Sequence, residues 1–341
     1  MRYRLLGRSG LRVSELAFGT MNFGTEGWGT PDADACRTLY TMYRDAGGNF
    51  FDTANEIYSG GRSEEFLGSF MSGHRHEVVI GTKYGFHIPG PRNANIAGNQ
   101  RKSMLRSVEA SLVRLGTDYV DVLWVHGWDG LTPVDEVMRG LDDLVRQGKI
   151  LHAGISNTPA WIVARANTLA ELRGWSAFVG LQIEYNLLER HAETELLKMA
   201  ETLGLCPLAY SPLASGILSG KYNLALEVGH RRLDLTKGRK KMDERASTIV
   251  EAVMVVAEET GRTISQVALN WLHSARKTIP IIGARTEAQL RDNLQCLDFT
   301  LSPAQIAGLE NAGTPDLAYP QSFLQWARPI SGAGFADLID P

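Results

Sequence analysis

The sequence predicts a closed barrel of eight parallel strands, each followed by a helix: a (β/α)8 TIM barrel in a single domain over residues 1–341. Three observations carry this. Eight short runs rich in Val, Ile, Phe and Tyr alternate with longer stretches that carry apolar residues at helical spacing. The runs are apolar along nearly their whole length, as in VDVLWV and IPII, which is the pattern of parallel strands buried on both faces. After the first run the chain reads TMNFGTEGWG, without the GxGxxG loop that an open, doubly wound sheet would place there.

Taken in order, strands are expected over 14–20, 49–53, 78–83, 120–125, 150–156, 178–184, 207–211 and 278–282. Helices are expected over 32–46, 62–69, 100–115, 134–147, 159–172, 193–203, 242–260 with 265–275, and 287–294. Punctuation fits these bounds. Thr132 and Thr158 read as caps, with Pro133 and Pro159 opening the helices that follow. Gly148 reads as a C-terminal stop, and Ser302 with Pro303 opens one more helix after the eighth unit. Two stretches fall outside the repeat: the Gly-, Pro- and Asn-rich 85–99, and 223–241. The tail, 313–341, has little helical pattern but holds Tyr319, Phe323, Trp326 and Phe335, and is expected at the barrel mouth.

Composition narrows the function. The 341 residues are 44 % hydrophobic and 21 % charged, with a net charge of −3, so a whole-protein basic field for nucleic acid is absent. The basic cluster of Arg231, Arg232, Lys237, Arg239, Lys240 and Lys241 reads either as a solvated loop or as an anion clamp. Cys36, Cys206 and Cys296 are widely spaced and odd in number, which gives no CxxC metal or redox pattern and fits a reducing compartment. The opening MRYRLLGRSG lacks the apolar core of a signal peptide, and no apolar run reaches the roughly 18 residues of a membrane helix. A cytoplasmic location is therefore expected, with no membrane partner. A homo-oligomer is allowed but not indicated.

A barrel presents its active site at the C-terminal ends of its strands, so polar residues there carry the chemistry. Asp52 ends the second expected strand, Lys83 the third, and His126 follows the fourth; Tyr58 lies on the loop after Asp52. Each alone has an ordinary structural reading, as turn, packing or satisfied core residue. Together they suit carbonyl reduction. Hydride attack leaves negative charge on oxygen, which must gain a proton. A phenol is a poor acid at neutral pH, and a nearby ammonium favours its ionised form. A carboxylate paired with the lysine keeps that ammonium charged, and an imidazole N–H can hold the carbonyl oxygen. Acid catalysis of this kind gives about 10²–10⁴-fold.

Long, ordered motifs extend this reading: YRLLGRSGLRVSELAFGTMNFG, FFDTANEIYSGGRSEEFLG, VIGTKYG, VDVLWVHGWD, GKILHAGISN, LQIEYNLLER, LAYSPLASGILSGKY and IPIIGARTEAQLRDN. In these the chain resembles the aldo-keto reductases, over nearly its whole length, and as a bacterial-type member. The resemblance implies a tetrad of Asp52, Tyr58, Lys83 and His126, with Tyr58 as proton donor and His126 also orienting the substrate. It implies NADP(H) bound extended, without a Rossmann fold. Ser156, Asn157 and Gln182 would hold the carboxamide, and Tyr210 would stack on the nicotinamide. Gly19, Thr20, Met21 and Asp52 would also contact the cofactor. Ser211, Pro212, Leu213, Gly216, Leu218, Ser219 and Lys221 would line the pyrophosphate path. Gly283, Arg285, Gln289 and Asn293 would surround the adenosine and its 2′-phosphate. One departure stands out: some members carry Lys and Arg where this chain has Gly283 and Gln289. Arg285, with Arg231, Arg232 and Lys237, is expected to supply the missing charge.

The substrate is expected to be a small-molecule carbonyl, shaped by Phe23, Tyr84, His126 and Trp128, with Trp28, His87 and the tail aromatics as further candidates. Three other readings fit parts of the sequence. One is a cofactor-binding sensory or accessory protein with slow turnover. Another is a Schiff-base aldolase on Lys83. The third is a metal hydrolase, for which His74 and His76 are the closest histidine pair and lack a clear third ligand.

Overall fold

The structure is a computed structural model and describes residues 1–27, 29–30, 32–87, 93–220 and 243–331. A two-stranded antiparallel hairpin, β1 (Tyr3–Leu5) and β2 (Arg12–Ser14), precedes the barrel. Eight parallel strands then close on one another: β3 (Ala17–Gly19), β4 (Phe50–Asp52), β5 (Val79–Tyr84), β6 (Val120–Val125), β7 (Ile150–Ser156), β8 (Phe178–Glu184), β9 (Cys206–Tyr210) and β10 (Ile279–Ile282). Closure comes from β10, which pairs with β9 on one side and β3 on the other. The helices are α1 (Ala33–Asp45), α2 (Arg62–Phe70), α3 (Arg101–Leu115), α4 (Val134–Arg146), α5 (Ala160–Arg173), α6 (Leu196–Leu203), α7 (Glu244–Thr260), α8 (Ile264–Asn270), α9 (Glu287–Leu294), α10 (Pro303–Ala312) and α11 (Gln321–Ser331).

All eight expected barrel strands form, within a few residues of their expected bounds. The hairpin was not expected. Leu6 and Val13 are buried there with Phe50, Val79, Val122 and Ile279, so the hairpin contributes to the interior of the barrel. Gly7 makes this possible: at φ +56°, a Cβ would lie 2.1 Å from the Val179 carbonyl oxygen.

Within the barrel, Trp124 is fully buried. Space for its indole comes from strand positions without side chains, because a Cβ at Gly154 would lie 2.2 Å from its ring and one at Gly180 2.8 Å. The larger apolar cluster fills the shell between strands and helices, where Phe18, Tyr43, Phe51, Leu67, Leu123 and Leu141 are buried.

Two expectations about helices are corrected. Thr132 and Thr158 are not the caps. Pro133 and Pro159 take the N-cap positions in extended conformation and bring no capping side chain. The threonine hydroxyls turn instead to Asp129 and to the Ser156 carbonyl. The tail does contain a helix, α11, but all its large apolar residues are exposed: Phe323, Leu324, Trp326 and Ile330. A hydrogen bond from Gln321 Nε2 to Glu195 Oε1 ties its start to the body. Among the described residues no helix is long and apolar enough to cross a membrane.

Candidate active site

A cavity of about 760 Å³ opens at the C-terminal ends of the strands and reaches the start of α9. Strand alternation aims the side chains. On β5, Lys83 points inward while its neighbours Thr82 and Tyr84 point outward. Thr82 donates to Glu64 on α2, and Tyr84 is buried in the shell. Asp52, the last residue of β4, pairs in register with Gly81.

At the floor of the cavity Lys83 and Asp52 form a buried ion pair. Lys83 Nζ donates to Asp52 Oδ2 at 2.5 Å and to the Thr53 carbonyl at 2.6 Å. Gln182 Nε2 donates to the other carboxylate oxygen, Oδ1, at 2.8 Å. Burial works against the Lys83 ammonium, but the Asp52 carboxylate and then the Tyr58 phenol outweigh it and hold its pKa above the ordinary value. The ammonium lies 5.0 Å from the centroid of the Tyr58 ring. The ring of His126 meets the Tyr58 ring edge-on at 6.2 Å. Tyr58 and His126 both border the cavity.

Burial, with the Lys83 ammonium adding to it, pushes His126 down to about 3. The imidazole is thus neutral across the physiological range. This sets a pH dependence whose sign is fixed. Unfolded, the ring takes up a proton near its usual value of about 6.5; folded, it does not. Between those values the unfolded chain binds more protons, so stability falls as pH falls below about 6.5. The loss continues to about 3, with a limiting slope of about 1.4 kcal/mol per pH unit. We expect His126→Asn to remove this contribution between pH 6.5 and 5 in urea unfolding. An unchanged slope would show that His126 is charged in the folded protein.

The rim around the floor is strained. Among the described residues six non-glycine positions have left-handed φ, and three of them line the cavity: Asn157, Ser211 and Ser215. Asn157 is held in this conformation from both ends. Its Nδ2 donates to the His126 carbonyl at 2.8 Å, and its Oδ1 accepts from the Tyr210 hydroxyl at 2.8 Å. The Tyr210 ring is fixed as one wall by the same bond.

The residues expected around a cofactor are brought together in large part. Gly19, Met21, Asp52, Asn157, Gln182, Tyr210, Ser211, Pro212, Leu213, Gly216, Ser219, Gly283, Arg285, Gln289 and Asn293 all line the cavity. Three do not. Thr20 is fully buried and bonds to the Asp52 carbonyl and to Ser63, so it braces the strand end. Leu218 is fully buried in the apolar shell. Ser156 is buried at the end of β7, and its Oγ has no hydrogen-bond partner among the described residues. Lys221, Arg231, Arg232, Lys237 and Trp28 lie outside the described residues.

Of the expected substrate contacts, His126 lines the cavity and three others do not. Phe23 is fully buried, edge-on to Phe18 at 5.7 Å and Phe70 at 6.2 Å. Tyr84 faces the helices because it follows the inward Lys83 on the same strand. Trp128 packs partly buried against the apolar shell and does not line the cavity. No described residue of the tail lines it either.

The aromatic wall beside His126 is instead Phe86, tilted against the imidazole at 4.4 Å and 33°. Its place in the sequence, three residues after Lys83, is the signal that was available. Asn22, Ile57, Ser215, Ser265, Leu269, Ala284 and Asp292 also line the cavity and were not expected. Asn22 Nδ2 donates to the Ala284 carbonyl, joining loops 262 residues apart in sequence. Among the described residues no group of three or more His, Cys, Asp or Glu could hold a metal ion.

An eight-stranded barrel with a buried Lys–Asp pair beneath a tyrosine and a neutral histidine defines a class of carbonyl-handling enzyme. The chain belongs to the Aldo/keto reductase family, whose match covers residues 15–313, and is an oxidoreductase. It is 38 % identical over 338 residues to the aldo-keto reductase ausK of Aspergillus calidoustus, covering 94 % of this chain and 84 % of that protein. It is 36 % identical over 326 residues to norsolorinic acid reductase stcV of Emericella nidulans, covering 93 % and 82 %. To the aryl-alcohol dehydrogenase [NADP(+)] of Phanerodontia chrysosporium it is 36 % identical over 338 residues, covering 91 % and 86 %. These relatives are fungal and do not support the bacterial type expected from the sequence.

Proposed function

We propose that this protein reduces aromatic aldehydes or ketones to alcohols with NADPH, using Tyr58 as the proton donor. The observation that carries the reading is the buried Lys83–Asp52 pair beneath the Tyr58 ring, with a neutral His126 beside it. NADPH supplies the hydride when bound. The chain's own residues do the rest. His126, neutral, donates an N–H to the carbonyl oxygen and holds it beside the phenol. Tyr58 gives its proton to that oxygen as charge develops there. The Lys83 ammonium stabilises the phenolate left behind, and Asp52 keeps the ammonium charged in a site from which water is largely excluded. Phe86 offers a flat face for an aryl group, in keeping with the names of the relatives.

The residues present fit the cofactor. The cavity wall supplies the polar groups that a carboxamide needs. Asn157 and Gln182 add amide groups on the cavity wall, and Tyr210 adds an aromatic face. At the far end Gly283 leaves open space where other members carry a lysine: a Cβ there would meet nothing nearer than 3.9 Å. Arg285 borders the cavity at that end and brings a guanidinium to where a 2′-phosphate would lie.

The test is NADPH titration by fluorescence, followed by its oxidation with a panel of aryl and alkyl carbonyls. Substrate-dependent oxidation is expected. Tight binding without turnover would favour the sensory reading. Removing one charge-assisted phosphate contact costs about 1.5–3 kcal/mol. Arg285→Ala should therefore weaken NADPH at least about tenfold and leave NADH nearly unchanged. Equal weakening of both would take Arg285 away from the 2′-phosphate.

A further inference from the structure

Behind the tyrosine loop lies a cluster of charged side chains that the proposed chemistry does not use. Glu56, two residues before Tyr58, is largely buried, its side chain 14 % exposed. Its Oε1 accepts from His87 Nδ1 at 2.8 Å and from Arg106 Nη2 at 3.1 Å. Its Oε2 is buried with no hydrogen-bond partner among the described residues and faces Arg114 Nη2 at 3.7 Å. Arg114 is committed to the fully buried Glu64, at 2.7 Å from Nε. Arg106 also donates to the Ile96 carbonyl at 3.0 Å. His87 is thus the partner that belongs to the neighbouring active-site loop.

That loop carries Phe86. Consecutive residues tie the two loops together: Asn55 Nδ2 donates to the Phe86 carbonyl at 3.0 Å, and Glu56 takes the His87 ring. The two ties bracket the aromatic wall on one loop and lead directly into Ile57 and Tyr58 on the other. The cavity between them is bordered by Ile57, Tyr58, Phe86 and His126. Without such ties two loops at a barrel mouth would fluctuate independently. A carboxylate held by an imidazole and a guanidinium from two different elements, with a second guanidinium 3.7 Å away, sets the distance between them.

We infer that Glu56 is a positioning residue that clamps the Tyr58 loop to the Phe86–His87 loop and α3, and thereby sets the width of the slot that admits a flat aryl carbonyl. This rests on the reading of the site as an aryl carbonyl reductase. The carboxylate touches neither substrate nor the reacting atoms; it acts through Phe86 and Tyr58. Because a misplacement of about 1 Å near the reacting groups can cost about 100-fold, loosening the clamp should act on aryl substrates more than on small alkyl ones, which do not span the slot.

The experiment compares benzaldehyde with butanal in the wild type, Glu56→Gln and His87→Gln, with NADPH affinity and melting temperature measured on the same samples. In both variants kcat/KM for benzaldehyde should fall about tenfold more than that for butanal, with NADPH affinity unchanged. Simple destabilisation would lower the amount of active protein equally for both substrates and leave their ratio fixed. Should Glu56→Gln fail to fold, His87→Gln cuts the same clamp without removing the buried carboxylate. A wild type that turns over both aldehydes, with a ratio that survives substitution, overturns the clamp alone. A wild type that oxidises NADPH with neither overturns the functional reading and the clamp with it.

Discussion

Tyr58→Phe is expected to retain NADPH binding and lose turnover by about 10²–10⁴-fold, the usual contribution of a general acid. The substitution keeps the ring, its face toward the Lys83 ammonium and its edge-on contact with His126. It removes only the hydroxyl that carries the proton. Binding measured by fluorescence should change little, because the phenol borders the part of the cavity beside His126 while the residues proposed for the cofactor extend to α9. A loss of less than about tenfold, or 1.4 kcal/mol of transition-state stabilisation, would place the acid elsewhere.

Asp52→Ala should have the largest effect on stability. Lys83 is 1 % exposed, and Asp52 is its only carboxylate partner among the described residues. Removing one member of a buried pair leaves an uncompensated charge, at a cost of about 3–5 kcal/mol. The Thr53 carbonyl would remain as an acceptor, and the Gln182 amide would lose its own. Urea unfolding should show the loss. The double variant Asp52→Leu with Lys83→Met, which removes both charges, should recover part of the stability and none of the activity. A single-variant loss of under about 1 kcal/mol would mean that Lys83 sheds its proton once Asp52 is gone.

Much of this molecule was legible from residue order. The strands could be read because parallel strands buried on both faces are apolar along most of their length, as VDVLWV in β6 illustrates; its one charged residue, Asp121, is paired with Arg75. Asp52, Lys83 and His126 could be read because a barrel delivers strand ends to one rim. The misses share a cause. Phe23 and Tyr84 are aromatic and lie near the rim in sequence, but which face an aromatic takes depends on register and on the helices outside. Tyr84 is one residue past an inward lysine and so must point out. Phe86 stands three residues after Lys83, which marks it as near the rim, but that it turns toward His126 depends on the path of the loop beyond β5. The hairpin was missed because its strands are three residues each and too short to show a period.

By itself the sequence determined the barrel, the family and the four polar groups at its mouth, because these depend on local periodicity and on motifs contiguous in the chain. Tertiary structure decided what those groups do to one another. The neutral state of His126 comes from burial beside an ammonium. The charge on Lys83 comes from a carboxylate 31 residues away. The spacing of Tyr58 from Phe86 comes from a carboxylate, an imidazole and two guanidiniums gathered from three elements. Such effects depend on distance and on exclusion of water, and only the closed barrel fixes either.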